Sequence, residues 1–435
     1  MGQPLRILYD AGPGDVLRSV QSFAAGRLNP DISHVGYSDQ FCRVCAKLDI
    51  PALVVTSHPA AQPFEAGPIH LEPKPNPMAA ARGAAYYAAQ LQRSAQLLRD
   101  AHAFGANVLI AGNEPHPMLL APARRMGIQV IQSLHCVLWP EWKPLRPRQR
   151  LLVQAMRGAY RHGLCAALSV SGAVSAQVER VAHGPCIPIV EFLPTFRPEM
   201  FSGMPSPLDI PNRPFRVIFF GRLEANKGVF ELIEIARRLR DGGEHDVVFD
   251  LCGDGSAMTE ARARVEAHDL GRNVHLHGWC DAKRLRELAA SSHVVIVPTT
   301  SDFIEGFNKT VVEGLLYGRP VITSEVCPAT RYVWDALIVV GADDVDGYER
   351  SIVQLLTDRS RYARLCQRAR RVGEKFLGDR YSYARALEHV LSALQRGQRP
   401  QSLRLSEALC QRRPTLSSPR VGVPARHGPP IHPRP

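Results

Sequence analysis

The chain has 435 residues, 45% of them hydrophobic and 22% charged, enough for two or three domains with sizeable cores. No apolar run reaches the roughly 18 residues that a bilayer crossing needs, and the residues before Leu5 lack the apolar region of a secretory leader. Composition therefore excludes a bundle of spanning helices, a disulfide-stapled miniprotein and a wholly disordered chain, and the expected location is the cytoplasm.

The first strand candidate is Leu5–Tyr9, followed by Pro51–Val55, Asn107–Ala111, Ile128–Gln132, Ala166–Val170 and Ile187–Leu193. After a proline-rich break from Phe201 to Pro214 come Phe215–Phe220, Val247–Cys252, Val274–Leu276, His293–Val297, Pro320–Thr323 and Leu337–Val340. These runs are continuous rather than alternating, as strands buried on both faces should be. Helix-length segments separate them, such as the one with Val229, Leu232, Ile233, Ala236 and Leu239 on one stripe. The expected fold is α/β, with two doubly wound parallel sheets: residues 1–205 form one domain and 215–375 the second. A last helix lies within 376–396. Residues 397–435, rich in arginine and proline, read as a disordered basic tail.

The ten cysteines are dispersed, with Cys42 and Cys45 as the one CxxC pair. Without a second pair or nearby histidines they read as reduced, mostly buried thiols, so no metal is expected. The formal charge is +12, concentrated in the tail. No nucleic-acid-binding motif accompanies it, so no nucleic-acid partner is expected.

Ligands of doubly wound sheets bind beyond the carboxyl ends of the strands, so the loops there hold the candidate chemistry. After the strand ending near Pro298, Glu305 and Glu313 stand eight positions apart, with Gly306 at the mouth of a helix running from about Asn308 to Tyr317. Amides at a helix N-terminus attract phosphate. A fully helical span would separate the acids by about 12 Å, too far for a glycosidase pair at about 5–9.5 Å. One acid thus sits at the phosphate end and the other lies deeper, suited to hydroxyl groups; an ordinary amphipathic helix is the plainer alternative. The second domain begins with a strand ending at Gly221, followed by Arg222 and, five residues on, Lys227. A guanidinium and an ammonium together neutralise a leaving diphosphate, although a solvated basic turn has the same composition.

Other motifs are weaker. Asp10-Ala-Gly12-Pro-Gly14-Asp15 follows the first strand, where glycines allow backbone to approach a phosphate or sugar, and a plain turn fits as well. Asp344-Val-Asp346 spells a metal-binding triplet but opens a helix, where N-capping is expected. Lys143, Arg146, Arg148, Arg150, Arg157 and Arg161 surround Leu151 and Leu152 without an acid among them, a pattern that suits either an anionic membrane surface or a solvated helix face.

The strand–Gly–Arg222–x4–Lys227–Gly start, Leu251-Cys-Gly-Asp-Gly255 and Glu305-Gly-Phe…Glu313-Gly…Gly318-Arg-Pro-Val-Ile together resemble the donor half of the retaining glycosyltransferase family 4, whose signature is Glu-x7-Glu. The resemblance runs from about 215 to 395. It implies the GT-B fold, with two Rossmann-like domains facing a central cleft and a C-terminal helix crossing back to the first domain. By resemblance, Arg222 and Lys227 bind the donor diphosphate, Glu305 contacts the donor sugar, and amides near Gly306, Phe307 and Asn308 meet the phosphate. Glu313 would bind ribose hydroxyls, Gly221 and Gly278 would line the nucleotide site (Gly278 in the base loop), and Gly14 would belong to the glycine-rich loop of the first domain. His135, ending a strand, stands where the family often has a histidine facing the donor sugar. Cys327-Pro-Ala-Thr-Arg331 replaces the family's usual Gly-Gly loop and glutamate. The implied function is retaining transfer of a sugar from a nucleotide-diphospho-sugar to a glycan or lipid-linked acceptor in bacterial surface polysaccharide biosynthesis, at the inner face of the plasma membrane. No cofactor beyond the donor substrate is expected. The competing readings are another enzyme on the same fold, such as a nucleotide-sugar epimerase or a phosphorylase, and a basic nucleic-acid-binding protein.

Overall fold

A computed structural model describes residues 4–208 and 213–410 of the chain. Among them are two sheets that share no strand. The first is eight-stranded: β1 (Ile7–Gly12), β2 (Ala52–Thr56), β3 (Phe64–Ala66), β4 (Ile69–Pro73), β5 (Val108–Ala111), β6 (Gln129–Leu134), β7 (Ala166–Ser169) and β8 (Ile189–Glu191), in spatial order β3-β4-β2-β1-β5-β6-β7-β8. The second has six strands: β9 (Phe215–Phe220), β10 (Val247–Cys252), β11 (Val274–Gly278), β12 (Val294–Val297), β13 (Val321–Ser324) and β14 (Leu337–Val340), in the order β11-β10-β9-β12-β13-β14. All pairings are parallel except β3 with β4. Parallel strands need covered faces, which explains the apolar runs: Val108–Ala111 and Val294–Val297 are buried throughout.

The helix Val229–Asp241 shows how sequence period becomes packing. Val229, Leu232, Ile233, Ala236 and Leu239 are all buried and join Phe215, Val217, Phe249 and Leu251 in one cluster. Burying each large apolar side chain there contributes about 1.5–3 kcal/mol. A second, larger cluster runs across both halves, from Ile7 and Phe41 to Val295, Leu315 and Tyr383.

The helix Tyr383–Gln395 carries the chain back against the first sheet's side. Tyr383 packs on Tyr37 and Phe192 at 5.4 and 5.0 Å between ring centres. Glu388 pairs with Lys47 at 2.6 Å, and Ala384 N–H donates to Gln40 at 2.9 Å. Asp344 caps the helix Val345–Thr357 by accepting from Gly347 N–H, as expected, and the helix Tyr37–Lys47 buries Cys42 and Cys45 as free thiols.

Two features depart from the sequence expectations. The hairpin β3–β4 has no counterpart among the expected strands, because β3 has three residues and β4 carries His70 and Pro73 among its apolar positions. The expected tail is ordered as far as Cys410. Leu403 pairs with Val190 beside β8, with Leu403 N–H donating to Ile189 O and Glu191 N–H to Leu403 O. A short helix, Leu405–Leu409, follows with Leu405 buried. The reason is specific: β8 leaves an unpaired edge and a buried carboxylate, Glu191, which Ser406 satisfies through its N–H at 2.6 Å and its hydroxyl at 2.9 Å. The rest of the expected tail, 411–435, lies outside the described residues.

Candidate active site

Five loops that matter leave the carboxyl ends of β1, β6, β7, β9 and β12, and the last four meet around residues 299–309. From β9, Gly221 turns the chain with a φ of +150°. Gly253, at the end of β10, comes so close that a Cβ on it would overlap the Gly221 carbonyl oxygen, and its N–H donates to Gly278 O at 2.7 Å. The three glycines thus lock the ends of β9, β10 and β11 together. Beyond them Trp279 is 70% exposed, so this loop presents a bare indole to solvent.

Arg222 and Lys227 both face the Phe303 ring, the guanidinium at 5.9 Å and the ammonium at 3.9 Å from its centre. Lys227 Nζ also pairs with Glu305 Oε2 at 2.8 Å. Arg222 is exposed and pairs with Glu224 at 2.7 Å. The aromatic ring, two cations and Glu305 therefore form one patch, and attraction to the ring face helps hold the cations together. A Cβ on Gly228 would overlap the Pro298 carbonyl oxygen, which fixes the Lys227 turn against the end of β12.

The helix Lys309–Leu316 starts one residue later than expected, after Asn308 at a φ of +71°. Asn308 is buried, with its amide donating to Thr299 Oγ1 at 3.1 Å and Cys327 Sγ at 3.5 Å. Phe307 is in the core against Tyr332 and Phe376. The side chains of Phe307 and Asn308 thus brace the loop from within, which leaves backbone as their contribution to a ligand. Gly306 is pressed against the first half of the chain: a Cβ there would overlap the His135 carbonyl oxygen, and Ser171 Oγ donates to Gly306 O at 2.6 Å.

Glu313 is buried, and its carboxylate accepts a hydrogen bond from Ser33 Oγ of the first half. The sequence suits this deeper acid to hydroxyl groups; here Ser33, from a loop of the opposite domain, meets it. Burial raises its carboxyl pKa, opposed by Ser33 and Lys309. Lys309 lies between the two acids, half-buried, with Nζ 2.7 Å from His34 Nε2 and 5.6 Å from the centre of the Tyr37 ring. Burial lowers its pKa, and Glu313 and Glu305 pull it back up.

His135 lies beside the Gly306 loop. Its carbonyl touches the Gly306 loop, but its imidazole bonds Ser133 at 2.9 Å and packs among Tyr37, Phe192 and Tyr383. Burial, then the charge of Lys309, pushes its pKa down to about 3, so the ring is neutral near pH 7. Gly14 lies in the turn after β1, and a Cβ there would meet no protein atom; its carbonyl accepts from Val16 N–H at 2.8 Å.

Residues 204–372 match the family model described as glycosyl transferases group 1. Among curated proteins, the chain is 26% identical over 191 residues to an alpha-maltose-1-phosphate synthase of Mycobacterium tuberculosis, covering 42% of this chain and 47% of that one. It is 30% identical over 116 residues to the D-rhamnosyltransferase WbpZ of Pseudomonas aeruginosa, covering 27% and 28%. The match thus spans about half the length of these relatives or less. Among solved structures, HepE of Anabaena in complex with UDP superposes with a TM-score of 0.60 at 17% identity, over 91% of this chain and all of that one. The sucrose-phosphate synthase of Thermosynechococcus elongatus gives 0.65 at 15% identity, over 90% and 98%. The chain has the GT-B fold, and its second half, residues 204–372, matches the glycosyl transferases group 1.

Proposed function

We propose that this protein is a retaining glycosyltransferase that moves a sugar from a nucleotide-diphospho-sugar to a glycan or lipid-linked acceptor. The observation that carries the reading is the single patch formed by Arg222, Lys227, Phe303 and Glu305, next to Gly306, on which the first domain's His135 carbonyl and Ser171 hydroxyl close. The crystal structure of HepE, which has the same fold, contains UDP, in keeping with a nucleoside diphosphate as the leaving group.

In this reading the donor diphosphate lies against Arg222 and Lys227. The bond from the sugar's anomeric carbon to the β-phosphate oxygen breaks as the acceptor oxygen adds to the same face. The acceptor's proton passes to the departing phosphate oxygen. Catalysis then rests on charge neutralisation by the two cations and on positioning, since no side chain needs to form a covalent intermediate. Glu305 orients Lys227 and reaches the sugar, and Glu313 takes the ribose once Ser33 yields its place. His135, neutral and enclosed, contributes its carbonyl and its packing and does not act as an acid.

The acceptor side is read from the helix Pro147–Ala155, which buries none of its side chains and leaves Leu151 68% exposed among arginines. Such a face suits anionic lipid, and with it a role in surface polysaccharide assembly. No helix among the described residues is long and apolar enough to cross a membrane.

The deciding experiment screens nucleoside diphosphates and their sugars by thermal shift, then follows the best donor with and without acceptors. A glycosylated acceptor with the donor's anomeric configuration supports the reading. An interconverted nucleotide-sugar without acceptor, or phosphate-dependent cleavage, would replace it with an epimerase or a phosphorylase.

A further inference from the structure

At the edge of the second sheet, on the strand that leads into Gly278, three side chains meet. Asp250 of β10 lies directly beside His275 of β11 in the strand register, and His277 stands two residues further along the same strand, on the same face. Asp250 is fully buried, whereas the side chains of His275 and His277 are 39% and 20% exposed. His277 Nε2 is 2.8 Å and His275 Nδ1 3.4 Å from Asp250 Oδ1, and the three donor atoms lie within 4.8 Å of one another.

We propose that Asp250, His275 and His277 form a binding site for one divalent late transition ion, Zn2+ being the best match. Two imidazoles and one carboxylate are a borderline donor set of the kind zinc takes. Metal–ligand bonds of about 2.0–2.2 Å in a tetrahedral arrangement put donors about 3.3–3.6 Å apart, inside the range found here. The rings are nearly perpendicular, at 89°, and a nitrogen of each lies against the carboxylate. Their exposure leaves a fourth position for water.

A buried carboxylate needs partners, and Arg216 of β9 supplies one, its Nη2 lying 2.7 Å from each oxygen of Asp250. That pair alone would account for a structural aspartate. It does not account for the rest of the cluster. Two histidines from the neighbouring strand converge on Oδ1 of the same carboxylate. Arg216 approaches from β9 and the histidines from β11, on the opposite side of β10. The carboxylate therefore keeps its guanidinium while accepting an ion from the histidine side. Because β11 is the edge strand of its sheet, an ion there would tie that edge to β10 just before Gly278 and Trp279.

The test uses the full chain, stripped with a chelator and titrated with ZnCl2 alone by calorimetry at about pH 7.5, with X-ray absorption on the loaded protein. The expected result is one zinc per chain at this site, with only nitrogen and oxygen neighbours. Affinity should fall at least about tenfold in His277→Ala and in His275→Gln, and be unchanged in His268→Ala. The glutamine variant keeps a hydrogen-bonding group at a half-exposed position, so it guards against loss by misfolding, and thermal melts check both variants. Absence of binding, sulfur in the first coordination shell, or full affinity in the folded His275→Gln and His277→Ala proteins would overturn the assignment.

Discussion

Lys227→Ala tests the proposed diphosphate site directly. The ammonium sits 2.8 Å from Glu305 and 3.9 Å from the centre of the Phe303 ring, and its side chain is only 16% exposed. Its charge therefore acts through a medium nearer to protein than to water. At an effective dielectric of about 20, a unit charge about 4 Å away is worth about 4 kcal/mol before desolvation, and a charge-assisted hydrogen bond nets about 1.5–3 kcal/mol. A loss of about 2 kcal/mol weakens nucleoside diphosphate binding about 30-fold. With UDP at about 100 times the wild-type Kd, ligand stabilisation then falls from about 2.7 to about 0.9 kcal/mol. Turnover should fall further, by about 10²–10³, because charge on the leaving phosphate grows toward the transition state. The unliganded variant should lose only about 1–2 kcal/mol of stability, the value of a partly buried pair. Calorimetric titration with UDP, alongside melts with and without it, reads all but the turnover. A folded Lys227→Ala protein that binds the nucleotide within about threefold of wild type would refute the placement of this amine against the diphosphate.

Three other substitutions and one truncation probe separate parts of the molecule. Gly14→Ala adds a methyl group where no protein atom stands within 4 Å, so its melting temperature should match wild type while glycosyl transfer drops; a variant with full transfer would remove this turn from the site. Ser33→Ala removes the hydrogen bond to Glu313 and should lower stability by about 1–2 kcal/mol while leaving nucleotide affinity equal or higher, because the ribose no longer competes with the hydroxyl; weaker binding in calorimetry would show instead that Ser33 helps hold the nucleotide. Burial raises the Glu313 carboxyl above its ordinary 4.5, so this group favours folding below about pH 4.5 and that contribution is lost as pH rises through the higher native value. Glu313→Gln should therefore gain stability relative to wild type between about pH 4 and pH 7 in urea melts, and a pH-independent difference would contradict the shift. Ending the chain after Gly397 removes Leu403 from the β8 edge and Ser406 from the buried Glu191, which should cost about 3–5 kcal/mol; an unchanged melt would make that segment dispensable.

What the sequence disclosed follows from which forces act locally. Strands buried on both faces are mostly apolar, and all twelve expected runs reappear as strands of the two sheets. That Arg222, Lys227 and Glu305 stand near one another could be anticipated because all three follow strand ends of one sheet; the two cations face Phe303, and Glu305 pairs with Lys227. The contacts that crossed from one domain to the other were not legible. Ser33 and His34 sit in a loop with no periodicity, and nothing nearby in sequence indicates that they face Glu313 and Lys309. Lys309 could have been suspected, since it is one of only seven lysines in an arginine-rich chain and it lies between two acids. Helical period alone does not decide whether such a residue meets solvent or the opposite domain; it sets which residues share a face, and the partner of that face is chosen by the packing of the other sheet. The same limit explains Leu403 and Ser406. Their segment has the composition of a tail, and it is held because β8, more than 200 residues earlier in the chain, ends with a carboxylate that Ser406 meets through its N–H and its hydroxyl.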